Sequence, residues 1–187
     1  MKNIALFASG TGSNVRQIVH HFSSSEQLRC QLIVSNNPKA PVLDFAQSQQ
    51  IPHLLIDRPY FYTSEDILTK FKTYSIDYIV LAGFLWLVPS YLVQAYPRQI
   101  INIHPALLPK YGGKGMYGHH VHKAVHQAQE PESGISIHYV NEQYDEGDII
   151  FQAACPLHPL DQPNDIARKV QKLEHLHYAK VIESLWT

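Results

Sequence analysis

The sequence has little excess charge of either sign and no long apolar run. Its 187 residues carry 15 basic and 16 acidic side chains, which give a formal net charge of -1. This balance creates no overall positive field to attract nucleic acid or an anionic membrane surface. The longest apolar run, from Tyr78 to Val88, is shorter than a membrane-spanning helix. We therefore expect neither a nucleic-acid-binding protein nor a membrane protein.

Cysteine and targeting signals are also scarce. Cys30 and Cys155 are the only cysteines, and their separation fits no metal or redox motif. The chain passes from Met1 directly into a strand-like segment, without the apolar core of a signal peptide. These features predict a cytoplasmic protein with two reduced, buried thiols.

Hydrophobic residues make up 45% of the chain, enough for one globular domain with a sizeable core. Short apolar runs alternate with segments of helical spacing, which predicts an α/β fold with a mostly parallel sheet flanked by helices. We predict strands at 3–8, 31–34, 52–56, 78–82 and 100–103, and helices at 14–22, 42–49 and 64–74.

The pattern changes in the C-terminal third of the chain. A helix is expected at 119–128, and two strand-like runs at 134–140 and 148–154 flank an acidic turn, which predicts an antiparallel strand or hairpin. Apolar residues at helical spacing predict a final long helix at 164–185, with Asp161 or Asn164 as its N-cap.

A Gly/Ser segment, SGTGSN at 9–14, joins the first strand to the first helix. Glycines and the free N–H groups of a helix start favour a phosphate there. Val15 stands at the third glycine position of a dinucleotide fingerprint, and the second strand ends without an acidic residue. A phosphomonoester site and an ordinary capped turn both remain open.

Two polar residues stand at alternate positions near the end of the predicted strand 100–103. Alternation places Asn102 and His104 on one face, where an amide and an imidazole can act on the same reacting oxygen. Asp145, in the acidic turn, would raise the pKa of His104 if the two were in contact. A structural polar pair and a backbone-capping aspartate are the alternatives.

Histidines cluster at His119, His120, His122 and His126. Zinc requires three or four ligands in tight geometry, and neither an H-E-x-x-H motif nor a local cysteine pair is present. We therefore expect no metal site here. Substrate contact or plain surface exposure is the better interpretation.

Five stretches resemble the glycinamide ribonucleotide formyltransferases of the folate-dependent formyltransferase superfamily: SGTGSN, LAGFLWLVP, INIHPALLPKYGG, GISIHYVNEQYDEGDIIFQ and VQKLEH. The resemblance implies a Rossmann-like formyltransferase fold and a single domain over 1–187. It further implies a ribonucleotide-phosphate half at about 1–100 and a folate and catalytic half at about 101–187.

The resemblance also implies an activity, the metal-free transfer of a formyl group from the cosubstrate 10-formyltetrahydrofolate to the amine of glycinamide ribonucleotide in purine biosynthesis. The implied catalytic residues are Asn102, His104 and Asp145. The implied ribonucleotide-binding residues are Gly12, Ser13, Asn14, Gln171 and Glu174. The implied folate-binding residues are Leu85, Trp86, Leu87, Val88, Asn102, Asn141, Glu142, Tyr144 and Asp145.

Two features depart from the better-known members. Trp86 stands where they have an arginine, and the loop from Gly112 to His122 differs from the usual one. Formyltetrahydrofolate hydrolase and methionyl-tRNA formyltransferase share the catalytic residues but carry additional domains, for which we expect no room in this chain. A non-catalytic module that binds a phosphorylated metabolite is the alternative of another class. A monomer and a homodimer both remain open.

Overall fold

A seven-stranded sheet with helices on both faces forms the structure, a computed structural model that describes residues 1–187. The strands are β1 Lys2–Phe7, β2 Leu28–Ser35, β3 His53–Leu55, β4 Tyr78–Leu81, β5 Ile100–His104, β6 Glu132–Tyr139 and β7 Ile149–Pro156. The helices are α1 Ser13–His21, α2 Pro41–Ser48, α3 Arg58–Tyr62, α4 Asp66–Thr73, α5 Ser90–Ala95, α6 His119–Gln127 and α7 Pro163–Trp186.

The order of strands across the sheet is β3-β2-β1-β4-β5-β6-β7. Strands β1 to β5 pair in parallel, and β6 and β7 add as antiparallel strands. The predicted fold class is thereby confirmed. After β3 the chain returns to pair β4 with the other side of β1, and the carboxyl ends of strands at such a reversal point commonly border a ligand crevice.

Alternating side chains of the strands divide the core into two layers. Ile4 and Leu6 pack with residues of α1, α2, α6 and α7 on one face. Ala5 and Phe7 pack with residues of α3, α4 and α5 on the other face. Because both faces are covered, the buried parts of the parallel strands are continuous apolar runs, such as IALF in β1, LIV in β2 and YIVL in β4.

All seven predicted strands and the five predicted helices are present, with ends displaced by a few residues. The short helices α3 and α5 were not predicted, because each spans too few residues to show a helical period. The predicted cap of α7 is wrong. Gln162 is the N-cap, and its side chain forms a capping box with Asp165.

The two cysteines lie in strands at distant positions in the sheet. Cys30 is in β2 and Cys155 is in β7, and both thiols are free. Both are partly exposed rather than fully buried. None of the helices combines the length and the apolar character needed to cross a membrane.

The buried hydroxyl of Tyr178 joins α7 to the end of β4. Tyr178 is 1% exposed, and its hydroxyl donates a hydrogen bond of 2.9 Å to the carbonyl of Leu81. We expect Tyr178→Phe to lower the free energy of unfolding by about 1–2 kcal/mol, because it removes a buried hydrogen bond between α7 and β4. Urea unfolding followed by circular dichroism measures the change. Tyr74→Phe is the control, and equal losses in both variants would contradict the prediction.

Candidate active site

A cavity of about 890 Å³ opens at the carboxyl ends of β1, β4 and β5. Its walls come from the β1–α1 loop, the segment after β4, the turn after β6 and one side of α7. The volume lies within the range of small-molecule sites, roughly 300–1,000 Å³. Residues from distant parts of the chain therefore share one concave site.

The β1–α1 loop forms one wall of the cavity. Gly12 has a φ of 70° and precedes α1 without any side-chain cap, so the first N–H groups of the helix lack intrahelical partners. A Cβ at Gly12 would lie 2.4 Å from Cγ2 of Val42, which makes glycine necessary here. Ser9 fixes the loop, because its hydroxyl accepts the N–H of Leu85 at 3.0 Å. The wall is suited to an anion such as a phosphate.

Helix α7 completes this wall. Asn14 Nδ2 donates to Glu174 Oε2 at 2.9 Å, and Gln171 Nε2 donates to Ser13 Oγ at 3.4 Å. Burial raises the pKa of Glu174, although the hydrogen bond from Asn14 partly offsets this effect. The Oδ1 atom of Asn14 is buried and has no hydrogen-bond partner. The structure thus brings the predicted ribonucleotide residues together at one end of the chain's first helix.

The predicted catalytic residues also meet in the cavity. Asn102 and His104 extend from the same face of β5, and Asp145 reaches them from the turn after β6. Asp145 Oδ2 lies 3.4 Å from His104 Nδ1, and Asp145 Oδ1 accepts a hydrogen bond of 3.4 Å from Asn102 Nδ2. Two long contacts therefore hold the carboxylate between the amide and the imidazole.

The protonation state of His104 differs from the sequence-based expectation. Burial lowers the pKa of His104, and the Asp145 carboxylate and the Tyr111 carbonyl offset this only in part. The expected rise above the ordinary value is therefore wrong. His104 Nε2 lies 2.7 Å from the Tyr111 carbonyl oxygen. Because a carbonyl only accepts, Nε2 of His104 carries a proton and donates to it, and Nδ1 is the ring nitrogen that faces Asp145.

Asp145 is ionised and is held by its turn. Burial opposes its ionisation, but the contacts with His138, with the His104 ring and with the Gly113 N–H lower its pKa below the ordinary value. The backbone N–H of Gly113 donates to its Oδ2 at 3.0 Å. A Cβ at Gly147 would lie 1.7 Å from the carbonyl oxygen of Tyr139, so the D-x-G turn requires glycine there. The turn thus fixes the position of the carboxylate.

A buried polar network supports the loop that follows His104. Ser136 in β6 is fully buried; its hydroxyl accepts the N–H of Leu108 at 2.9 Å and donates to the Ala106 carbonyl at 2.7 Å. Gln152 in β7 donates to the same hydroxyl at 2.8 Å and to the Leu108 carbonyl at 3.1 Å. The antiparallel strands therefore hold the loop that leads to Tyr111, the partner of His104.

Some of the predicted folate-binding residues line the cavity, and others do not. Leu85, Trp86, Leu87 and Val88 line the cavity, as does Tyr144. The Trp86 ring lies 5.1 Å from the Arg58 guanidinium, which is a cation–π contact.

Asn141 and Glu142 do not line the cavity. Asn141 Oδ1 accepts the backbone N–H of Gln143 at 2.9 Å. Glu142 Oε1 accepts from Gln94 Nε2 at 3.2 Å. Their side chains therefore hold the turn, and their proposed contact with folate stays a prediction without support from this geometry.

Comparison with known proteins gives the family. The formyl transferase family model matches residues 2–182. The chain belongs to the formyl transferase family. Phosphoribosylglycinamide formyltransferase of Bacillus subtilis is 35% identical to it over 99% of this chain and 95% of its own length. The chloroplastic phosphoribosylglycinamide formyltransferases of Arabidopsis thaliana and Vigna unguiculata are 39% and 38% identical to this chain, each over 98% of it. The chain spans 65% of the length of the first plant relative and 61% of the length of the second.

Solved structures of formyl transferases agree with this assignment. Glycinamide ribonucleotide transformylase 1 of Geobacillus kaustophilus aligns over 100% of both chains with a TM-score of 0.89 and 33% identity. Phosphoribosylglycinamide formyltransferase of Bacillus halodurans aligns with a TM-score of 0.88 and 32% identity, covering 98% of this chain and 95% of its own.

One residue of the candidate site was missed at the sequence level. His138 lies directly opposite Asn102 in the antiparallel pair β5–β6, and Asn102 Nδ2 is 3.1 Å from its Nε2. Its Nδ1 donates to the Tyr139 carbonyl at 2.9 Å, and its Nε2 also lies 3.5 Å from Asp145 Oδ1. Residue alternation places His138 on one face of its strand, but the register against β5 could not be read from the sequence.

The histidine cluster divides into exposed and buried members. His119 and His120 are exposed, and His126 Nδ1 donates to the Asp161 carbonyl at 3.0 Å. His122 is 7% exposed and lines the cavity. No group of three or more His, Cys, Asp or Glu side chains is arranged to hold a metal ion.

Burial of His122 makes stability depend on pH. Burial lowers its pKa to about 4, with smaller effects of His119 and His104. The folded state then binds fewer protons than the unfolded state, so stability falls as pH drops from about 6.5, the ordinary value, towards 4.

We expect His122→Leu to reduce the loss of stability between pH 7 and pH 5 by about 1 kcal/mol, allowing for solvent screening. Urea unfolding at pH 7 and at pH 5 measures the difference in the free energy of unfolding. His120→Leu, which changes an exposed histidine of the same helix, should retain the native loss. The same pH dependence in the native protein and in His122→Leu would contradict the expectation.

Proposed function

We propose that the protein transfers the formyl group of 10-formyltetrahydrofolate to the amine of glycinamide ribonucleotide. The products are formylglycinamide ribonucleotide and tetrahydrofolate, in purine biosynthesis. The observation that carries the proposal is the convergence of Asn102, His104 and Asp145 in a cavity that also contains a helix N-terminus and an apolar segment. The names of relatives such as the Bacillus subtilis enzyme support the same reaction.

The ribonucleotide is proposed to lie between α1 and α7. Its phosphate would meet the N–H groups of Gly12, Ser13 and Asn14, where the positive end of the helix dipole favours negative charge. Gln171 and Glu174 would contact the same substrate from α7. Glu174, already bonded to Asn14 Nδ2, is the proposed partner of the substrate amine or ribose.

The folate is proposed to lie along Leu85 to Val88 and Tyr144. This segment joins an apolar wall to the turn that carries Asp145, so the pteridine-bearing end can reach the catalytic residues. The division into a ribonucleotide half and a folate half also remains a proposal. Two contacts cross the proposed boundary between the halves, because Gln171 and Glu174 of the second half contact Ser13 and Asn14 of the first.

The proposed chemistry begins with attack of the substrate amine on the formyl carbon. A tetrahedral intermediate forms, the bond from that carbon to N10 of the folate then breaks, and the proton lost by the amine ends on N10. The hydrogen bond from Asn102 Nδ2 to Asp145 is long, at 3.4 Å, so this N–H can turn to the developing oxyanion at little cost. Asn102 is therefore the proposed oxyanion donor.

We propose that His104 and Asp145 accept and relay the proton that the substrate amine loses. A developing oxyanion adds negative charge beside His104, which raises the pKa of its ring and favours protonation at Nδ1, next to Asp145. Asp145 would stabilise this charge and relay the proton. We propose that no metal takes part, because the formyl amide of the donor is activated, and polarisation, positioning and proton transfer suffice. The cytoplasmic location likewise stays a prediction from the sequence.

The direct test is tetrahydrofolate formation from 10-formyltetrahydrofolate, followed by absorbance with and without glycinamide ribonucleotide, in buffer that contains a metal chelator. We expect product only when the ribonucleotide is present. Product without the ribonucleotide would indicate the hydrolase instead. Absence of product in both reactions would contradict the proposal and favour a binding module.

Asp145→Asn tests the role of the carboxylate. We expect kcat to fall by about 100-fold or more, because the positive charge of protonated His104 loses its partner, and KM for the ribonucleotide to change by less than about 3-fold. Steady-state kinetics in both substrates measure the two effects. The control is Asp148→Asn, an exposed carboxylate paired with Arg98. Similar losses in kcat and in ribonucleotide affinity would mean that Asp145 is mainly structural.

A further inference from the structure

One buried side chain of the cavity has no partner in the protein. His122 lies in the first turns of α6, between the core residues Val121 and Val125, and is 7% exposed. Its ring lines the cavity, and its Nδ1 atom is buried without a hydrogen bond. Buried polar atoms are normally satisfied, so an unpartnered one at a cavity wall indicates a group that a ligand satisfies.

The position of α6 indicates which substrate His122 meets. Helix α6 shares one face of the sheet with α1 and α7, the helices that carry the proposed ribonucleotide-binding residues. The folate segment around Trp86 packs with the core on the opposite face. His122 is also close enough to His104 for the two rings to affect one another. It therefore borders the ribonucleotide side of the cavity near the reacting centre.

The chemistry of the ring fits a neutral polar partner. Burial lowers the pKa of His122 to about 4, so the imidazole is neutral at physiological pH. A neutral imidazole can accept or donate one hydrogen bond at Nδ1, according to its tautomer. Hydroxyl and amide groups, which link the phosphate of the ribonucleotide to its amine, are suitable partners. The phosphate itself is already assigned to the free N–H groups at the start of α1.

We propose that His122 binds the ribonucleotide substrate through a hydrogen bond from Nδ1 to its ribose or glycinamide portion. The inference rests on the proposed function and adds a binding residue to it. His122 then acts on substrate affinity rather than on the formyl donor. It is located at the end of the segment from Gly112 to His122 and in the first turns of α6.

The test compares two substitutions of different geometry. Asn places a polar atom close to the position of Nδ1, so His122→Asn retains the contact, and His122→Leu removes it while keeping an apolar body. Calorimetric titration gives the Kd for glycinamide ribonucleotide, and initial rates give the KM for 10-formyltetrahydrofolate. We expect Kd to rise about 10-fold in His122→Leu, the loss of one neutral hydrogen bond, and less than about 3-fold in His122→Asn.

The KM for 10-formyltetrahydrofolate should stay within about 2-fold of the native value in both variants. His120→Leu, an exposed change on the same helix, should leave every parameter native. Thermal unfolding of each variant is recorded, and His122→Gln replaces His122→Leu if the latter does not fold, because its polar atom falls near Nε2 rather than Nδ1.

The possible outcomes distinguish a failure of this inference from a failure of the proposed function. Native affinity in His122→Leu would overturn the role of His122 and leave the proposed function intact. Equal weakening in His122→Asn and His122→Leu, or a rise in the KM for folate alone, would also overturn it. A native protein that does not bind glycinamide ribonucleotide would overturn the proposed function and the inference with it.

Discussion

The candidate site depends on one buried carboxylate, that of Asp145. It contacts His104, His138 and Asn102 and accepts the N–H of Gly113. A buried ionised carboxylate without such partners would be strongly destabilising, so each of these groups must be in place for the charge to exist. The arrangement therefore connects stability with chemistry: the same contacts that allow Asp145 to remain charged also position the amide and the imidazole around the reacting centre.

The change from parallel to antiparallel strands makes this arrangement possible. Because β6 runs antiparallel to β5, His138 faces Asn102, and the turn that leaves β6 returns Asp145 to the carboxyl end of β5. If β6 were parallel to β5, a long crossover connection would have to precede it, and the loop that follows it would lie at the carboxyl end of β5. The antiparallel pair also brings Ser136 and Gln152 beneath the loop after His104, where they satisfy its backbone groups. The C-terminal strands thus help to form the candidate site.

Local patterns predicted most of the fold and the residues that meet in the candidate site, and features set by tertiary structure were missed. Residue alternation placed Asn102 and His104 on one face, and the Gly/Ser turn placed Gly12 at a helix start. The role of His138 depends on the register between two strands, which no local pattern contains. The pKa of His104 was predicted in the wrong direction, because its depth of burial outweighs the charge of Asp145 and cannot be seen in the sequence.

The two core layers fit the proposal that one small domain binds two large substrates. Helices α1, α6 and α7 cover one face of the sheet, and α3, α4 and α5 cover the other. The β1–α1 loop adjoins the first layer and the apolar segment around Trp86 the second, so the proposed ligands would approach from opposite sides of the sheet edge. The carboxyl end of β5 lies in the same cavity as both walls. The proposed reaction would therefore occur beside Asn102 and His104, which lie in this cavity.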